Sequence, residues 1–125
     1  MAYVLVAVGG AIGSVARYGV GEWVASVLGT AFPWGTLIVN IVGSFIIGAV
    51  AALAGSDAPA ITDNARLFLA VGVCGGFTTF SAFSLQTLAL IQAGAWPQAV
   101  LNIAGSVVLC LIAVWVGTLA ASTIR

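Results

Sequence analysis

Residues 72–84 read Gly72-Val-Cys-Gly-Gly-Phe-Thr-Thr-Phe-Ser-Ala-Phe-Ser84 and lie inside an apolar run from Leu67 to Ile91. Gly75 and Gly76, followed by Thr78 and Thr79, are poor helix-interior residues. A glycine costs about 1 kcal/mol relative to alanine, and a threonine costs several tenths more. The stretch therefore predicts a break between Gly75 and Thr79 in an otherwise helical run. Phe77 stands about eleven residues past Arg66, roughly 16 Å at 1.5 Å per residue. In a hydrocarbon layer of about 30 Å, that is close to the midplane. Backbone broken at such depth must be enclosed by protein or line water, because lipid offers its amides and carbonyls no partner. Helices unwound at the midplane commonly bind ions, with freed carbonyls facing cations and helix N-termini facing anions. A glycine-rich helix kept for close packing is the alternative reading of the Gly75-Gly76 pair.

If the helix resumes at Phe80, a rotation of about 100° per residue puts Phe80, Phe83, Ser84 and Thr87 on one face. Ser81 falls at its edge and Ala82 behind. Hydroxyls donate hydrogen bonds and aromatic edges carry the positive part of the ring quadrupole, so this face suits an anion. A core aromatic pair with hydroxyls bonded back to the preceding turn fits the same spacing.

Moving outward, three more apolar runs are long enough to span: Tyr3 to Leu28, Trp34 to Leu53 and Trp96 to Ala121. With Leu67 to Ile91 they use up nearly all of the 125 residues. The expected architecture is one all-α integral membrane domain, 1–125, of four transmembrane helices with the third broken near the midplane. Composition agrees: 62% of residues are hydrophobic, against three arginines, three carboxylates and no Lys or His. That charge is too sparse for a soluble surface, and it excludes the basic footprint of a nucleic-acid-binding protein. Cys74 and Cys110 sit in apolar stretches, with no disulfide or zinc spacing. The N-terminal run lacks a basic flank and exceeds a signal-peptide core, so it reads as a retained span. Trp34 and Trp96 open their spans as interfacial anchors. Arg66 and Arg125 fall on one side and no arginine falls in the other two loops, so orientation is weakly specified. Gly9 with Gly13, and Gly10 with Ser14, form small-xxx-small pairs for close helix approach, within a subunit or between two.

Four further polar positions inside spans carry weight. Asn40 and Asn102 each lie six residues after an interfacial tryptophan, at matching depth. Ser106 extends the Asn102 face at i+4. Both amides read either as glue between helices or as donors offered to a permeant ion. Arg17, the one cation within a span, reads as a vestibule charge or as a snorkelling side chain partly compensated by Glu22. No span holds a paired carboxylate, no Ser has a candidate base, and the glycine stretch lacks the Gly-Lys-Ser/Thr ending of a P-loop. An enzyme is not expected.

Three ordered motifs carry a family resemblance: Gly9-Gly10-Ala-Ile-Gly13-Ser-Val-Ala-Arg17-Tyr18, Gly35-Thr-Leu-Ile-Val-Asn40-Ile-Val-Gly43, and Gly75-Gly-Phe-Thr-Thr-Phe-Ser-Ala-Phe83-Ser84. Together they resemble the Fluc (CrcB) family of fluoride channels over nearly the whole chain. The resemblance implies an antiparallel, dual-topology homodimer of four-helix subunits with two fluoride pores in the cell (inner or plasma) membrane. It implies passive fluoride export that relieves fluoride toxicity. On that pattern Phe80 and Phe83 look like the pore aromatics and Asn40 like the pore amide. The carbonyls of Gly75 and Thr78 look like ligands of a structural Na+ at the two-fold axis. Ser81, Ser84, Thr87, Asn102, Ser106 and Arg17 complete the expected fluoride pathway. Ala82 stands where relatives often carry Thr, Gln86 where Glu is common, and Ser14 where Ala is usual. The rival expectations are a small multidrug-type exporter, which would want a carboxylate deep in the first span, and a non-transporting membrane assembly subunit.

Overall fold

The computed structural model describes residues 1–55 and 57–124. Arg125, part of the orientation argument, lies outside the described residues. Four helical stretches are long and apolar enough to cross a membrane: Ala2–Leu28, Trp34–Ala54, Asp63–Gln92 and Trp96–Ser122. The first two are α1 and α2. The third begins as α3 (Asp63–Arg66), continues as a π-helical segment (Leu67–Cys74) and α4 (Gly75–Phe77), and ends in α5 (Phe80–Gln92); α6 is Trp96–Ser122.

The third stretch starts four residues before the apolar run expected at Leu67. Thr62 explains the difference, because its side chain accepts the Ala65 N–H at 3.1 Å and caps the helix over polar residues. At the other ends, Gly29 and Gly94 take φ of 79° and 74°, the left-handed conformation that lets the chain turn tightly out of α1 and α5. Pro97 sits in the first turn of α6, where its missing N–H removes no helical bond.

The core is thin and built from small groups. Its buried apolar members are Val24, Leu37, Val39, Val50, Cys74, Ala99, Ala113 and Ala121, and large side chains such as Tyr3, Val15, Trp23, Leu111 and Trp115 point outward. Accessible surface is 7426 Å², against roughly 6,200 Å² for a soluble monomer of this mass. That inside-out distribution is what a bilayer requires, and the chain is a multi-pass membrane protein.

Backbone-to-backbone packing takes the place of a large core. Gly48 and Phe45 of α2 meet Val114 and Gly117 of α6, each glycine lying directly against a carbonyl of the other helix. The Thr118 hydroxyl donates to the Val114 carbonyl at 2.9 Å in the same contact. On the other side, Gly9 and Gly13 of α1 lie against Phe68, Gly72 and Val73 of the π-helical segment, and Gly76 lies against Gly10 and Ser14. The third stretch thus packs on α1 through its first half and on α6 through α5, with α2 touching both. Gly75 and Gly76 stay helical, and the non-helical residues are Thr78 (φ −89°, ψ 156°) and Thr79 (φ −152°, ψ 115°). Gly76 therefore serves approach to α1, whereas a Cβ at Gly75 would meet nothing within 4 Å.

A Cβ at Gly13 would overlap the Val73 carbonyl, whereas one at Gly19 meets nothing within 4 Å. Gly13→Ala is expected to destabilise the detergent-solubilised protein by about 1–3 kcal/mol, and Gly19→Ala to leave it within about 0.5 kcal/mol. Paired thermal unfolding curves measure the difference.

Candidate functional site

Thr78 and Thr79 leave helix-terminal carbonyls behind them and helix-terminal amides ahead, and each needs a partner. Upstream, the Cys74 carbonyl accepts the Thr78 N–H at 2.9 Å and the Thr78 hydroxyl at 2.8 Å. The Gly76 carbonyl accepts Nε of Arg17 from α1 at 3.0 Å. A cation at the negative end of a helical segment is favourably placed. Downstream, Thr79 caps α5: its Oγ1 accepts the Ala82 N–H at 3.1 Å and lies 3.2 Å from Ser81 Oγ. Among the described residues no donor reaches the carbonyls of Gly75 or Thr78.

Asn40 holds the centre. Its Nδ2 donates to the Thr79 carbonyl at 3.1 Å, and its Oδ1 accepts the Thr79 N–H at 2.8 Å. One side chain thus satisfies both polar groups of a peptide removed from its helix. One Nδ2 hydrogen is left over. Gly43, one turn along α2, makes room for the Thr78 methyl, which occupies the space a Cβ would take.

Beyond Thr79, the rings of Phe80 and Phe83 stand 5.3 Å apart, centroid to centroid, at 45°. They line a groove of about 310 Å³ together with Asn40, Ser44, Ser106 and Cys110. Phe80 is 79% exposed, so in a single subunit one wall of the groove is open. A second cavity, of about 380 Å³, lies beside Arg17 and is lined also by Ser14, Tyr18, Thr36, Thr79 and Ala82. A third, of about 430 Å³, includes Glu22, Thr30, Thr36 and Gln86. Thr79 borders the first and second cavities and Thr36 the second and third.

The expected site residues fall in different places. Asn40, Thr78, Phe80, Phe83 and Ser106 share the groove. Thr87, Asn102 and Ser106 form a buried relay between α5 and α6: Asn102 Nδ2 donates to Thr87 Oγ1 at 2.9 Å, Thr87 donates to the Phe83 carbonyl at 2.7 Å, and Ser106 donates to Asn102 Oδ1 at 3.5 Å. Thr87 thus turns toward α6, away from the groove. Ser84, exposed, donates to the Phe80 carbonyl at 2.9 Å, and Ser81 bonds with Thr79; neither lines the groove. Arg17 turns its Nε inward to the Gly76 carbonyl. Sequence reasoning missed Thr36, Ser44 and Cys110. They continue the faces of Asn40 and Ser106 at i±4, a signal present in the sequence. Gln86 Oε1 is buried without a donor among the described residues.

The family model described as "CrcB-like protein, Camphor Resistance (CrcB)" matches residues 4–118. The chain belongs to the CrcB family. It is 52% identical over 126 residues to a protein of Rhodospirillum rubrum named fluoride-specific ion channel FluC, covering 100% of this chain and 98% of that one. A protein of the same name from Thermus thermophilus is 54% identical over 92% of this chain and 89% of its own length. That of Opitutus terrae is 52% identical over 95% and 91%. The CrcB chain therefore aligns with these relatives over nearly all of its length.

Removing the Asn40 amide strands two backbone groups, at about 1–3 kcal/mol each. Asn40→Ala is expected to lower unfolding stability in detergent by at least about 2 kcal/mol, while Ser44→Ala on the same wall changes it by less than about 0.5 kcal/mol. Equal effects from the two would remove the structural role assigned to Asn40.

Proposed function

We propose that this CrcB chain is a passive, fluoride-selective channel of the cell membrane that lets fluoride leave the cell and so relieves its toxicity. The observation that carries the proposal is identity of about half the residues, over essentially full length, to proteins named fluoride-specific ion channels. The three cavities give it a physical route, because they meet at Thr36 and Thr79 and are lined by hydroxyls, an amide and a guanidinium. Fluoride is small and strongly hydrated, so a narrow path must replace its water with other donors. In the proposed mechanism the terminal nitrogens of Arg17 raise the local anion concentration beside Thr36. The spare Nδ2 hydrogen of Asn40 and the Ser44 hydroxyl supply hydrogen bonds, and the edges of Phe80 and Phe83 supply weaker positive electrostatics between them.

The subunit is proposed to act as an antiparallel, dual-topology homodimer with the interruption at Thr78 and Thr79 near the bilayer midplane. The open wall at Phe80 and the outward face of Gly75 supply the surface for a second copy. A structural Na+ is proposed at that contact. The Gly75 and Thr78 carbonyls suit it: they are hard oxygens without a protein donor among the described residues, and two copies would bring four of them together. When bound, the ion supplies positive charge to carbonyls that no amide satisfies. This chain's own residues hold those carbonyls in place, through the Thr78 hydroxyl on Cys74, Arg17 on Gly76 and Asn40 on Thr79.

Fluoride efflux from liposomes, read with a fluoride electrode, tests the activity. Wild type is expected to dissipate a fluoride gradient without any coupled ion; a requirement for a proton gradient would favour an exporter, and no flux would favour an assembly subunit. Phe80→Ile keeps apolar volume and removes the ring quadrupole. It is expected to slow flux by about tenfold or more, the equivalent of ~1.4 kcal/mol, with the gel-filtration profile unchanged. An intact and fully conducting Phe80→Ile protein would reject the ring assignment. A Cβ at Gly75 meets nothing within 4 Å in one subunit, so Gly75→Val is expected to leave subunit folding intact while dissociating the dimer; a dimeric Gly75→Val channel would argue against the proposed contact.

A further inference from the structure

Apart from the three cavities, an apolar slot of about 230 Å³ opens where α2 ends and the third stretch begins. Ile47, Val50, Ala51 and Ala54 form one wall, spaced along a single face of α2, and Ala70 of the π-helical segment forms the other. Arg66 stands at its mouth beside Gly55. From Ala54 to Ile47 the slot follows α2 for roughly 10 Å, so it descends from the helix ends into the apolar part of the span. Arg66 is exposed and has no ion pair or side-chain hydrogen bond among the described residues. Asp63, one turn earlier, is also exposed and does not neutralise it through a contact.

A permanent cation at the rim of a narrow apolar slot, in a chain that spans a membrane, matches one class of amphiphile: an anionic head on a hydrocarbon chain. A guanidinium binds phosphate oxygens through a planar fork of donors. The small side chains of Ala51, Ala54 and Ala70 leave the space that an acyl chain fills. We propose that this slot is a binding site for one anionic phospholipid per subunit, with the phosphate on Arg66 and an acyl chain against Ala51 and Ala70. The choice of a lipid over a free phosphate rests on the apolar wall, and the choice over a neutral lipid rests on Arg66. The inference stands apart from fluoride conduction, since Ala51, Ala54, Arg66 and Ala70 border none of the three cavities and only Ile47, at the deep end, also faces the groove.

The test uses the whole protein in a neutral detergent, titrated with phosphatidylglycerol or with phosphatidylcholine of the same acyl chains. Native mass spectrometry counts the lipids retained per subunit, and thermal unfolding reports the protection they give. Preferential retention of one phosphatidylglycerol per subunit is expected. Arg66→Gln is expected to weaken it by roughly fivefold, and Arg66→Lys to restore most of it. Ala51→Leu fills the slot without altering charge and is expected to weaken retention of phosphatidylglycerol as well. Equal retention of the two lipids would mean ordinary annular lipid and overturn the proposal, as would an unaltered Arg66→Gln. Equal protection by glycerol phosphate, which has no acyl chain, would make this a phosphate site and overturn the lipid assignment. A change in oligomeric state on Ala51→Leu, with lipid retention unchanged, would assign the slot to a second copy of the chain. Fluoride efflux enters none of these readouts, so failure here leaves the conduction proposal to its own test.

Discussion

The pairing of the Asn40 amide with the Thr79 peptide is the contact on which the rest of the site depends. Outside water, an unpaired peptide N–H or C=O costs enough that a helix is interrupted only where something replaces its ladder. Asn40 does so with one acceptor and one donor set at the spacing of a peptide group. Thr79 is thereby held extended, its hydroxyl is free to cap Ala82, and α5 starts in the direction that carries Phe80 and Phe83 into the groove. Upstream, Arg17 on the Gly76 carbonyl does the equivalent for the preceding helical end. Two polar side chains from two different helices thus fix one interruption, and neither helix can slide without releasing it.

Glycine sets the register of both attachments. Gly43 lies one turn after Asn40 and accepts the Thr78 methyl, so the amide meets Thr79 and not a neighbouring peptide. Gly13 and Gly76 bring α1 against the third stretch closely enough for a side chain at position 17 to reach back to a main-chain oxygen. In a soluble protein much of this proximity would come from burying large apolar side chains. Here lipid is as apolar as leucine, and close packing of small residues is what remains to favour helix association.

This division explains what could be read from the sequence. The four spans were legible because bilayer thickness fixes the length of an apolar run, and Trp34 and Trp96 mark two of their starts to the residue. The start at Asp63 was not, because a Thr62 cap extends a helix through residues that look like loop. The π-helical turn over Leu67–Cys74 has no pattern in its side chains that separates it from an α-helix. In the stretch Gly75 to Thr79 the glycines are helical and the threonines extended, and low helix propensity alone does not separate the two pairs; at Gly76 it marks packing on α1. The aromatic pair was legible from i, i+3 spacing. The partner of Asn40 was not, because a bond between residues 40 and 79 leaves no trace in either local sequence.

The hydroxyls show why residue type alone overstates a pathway. Ser84, Thr87, Thr118 and Ser122 each donate to the carbonyl four residues earlier, so several donors that composition places in the spans are committed to the backbone. Asn102 is committed in turn to Thr87. What remains facing the cavities is one hydrogen of Asn40, the outer nitrogens of Arg17, the hydroxyls of Ser14, Tyr18, Thr36 and Ser44, and the Phe80 and Phe83 edges. Structural roles and the proposed conducting roles therefore coincide in Asn40 and Arg17, where a substitution disturbs the interruption and the donors together. They separate at Phe80, whose ring lies largely exposed and holds little of the subunit together. In the proposed channel these groups meet the anion one contact at a time, and the proposed fluoride, small and strongly hydrated, gains most from each of them.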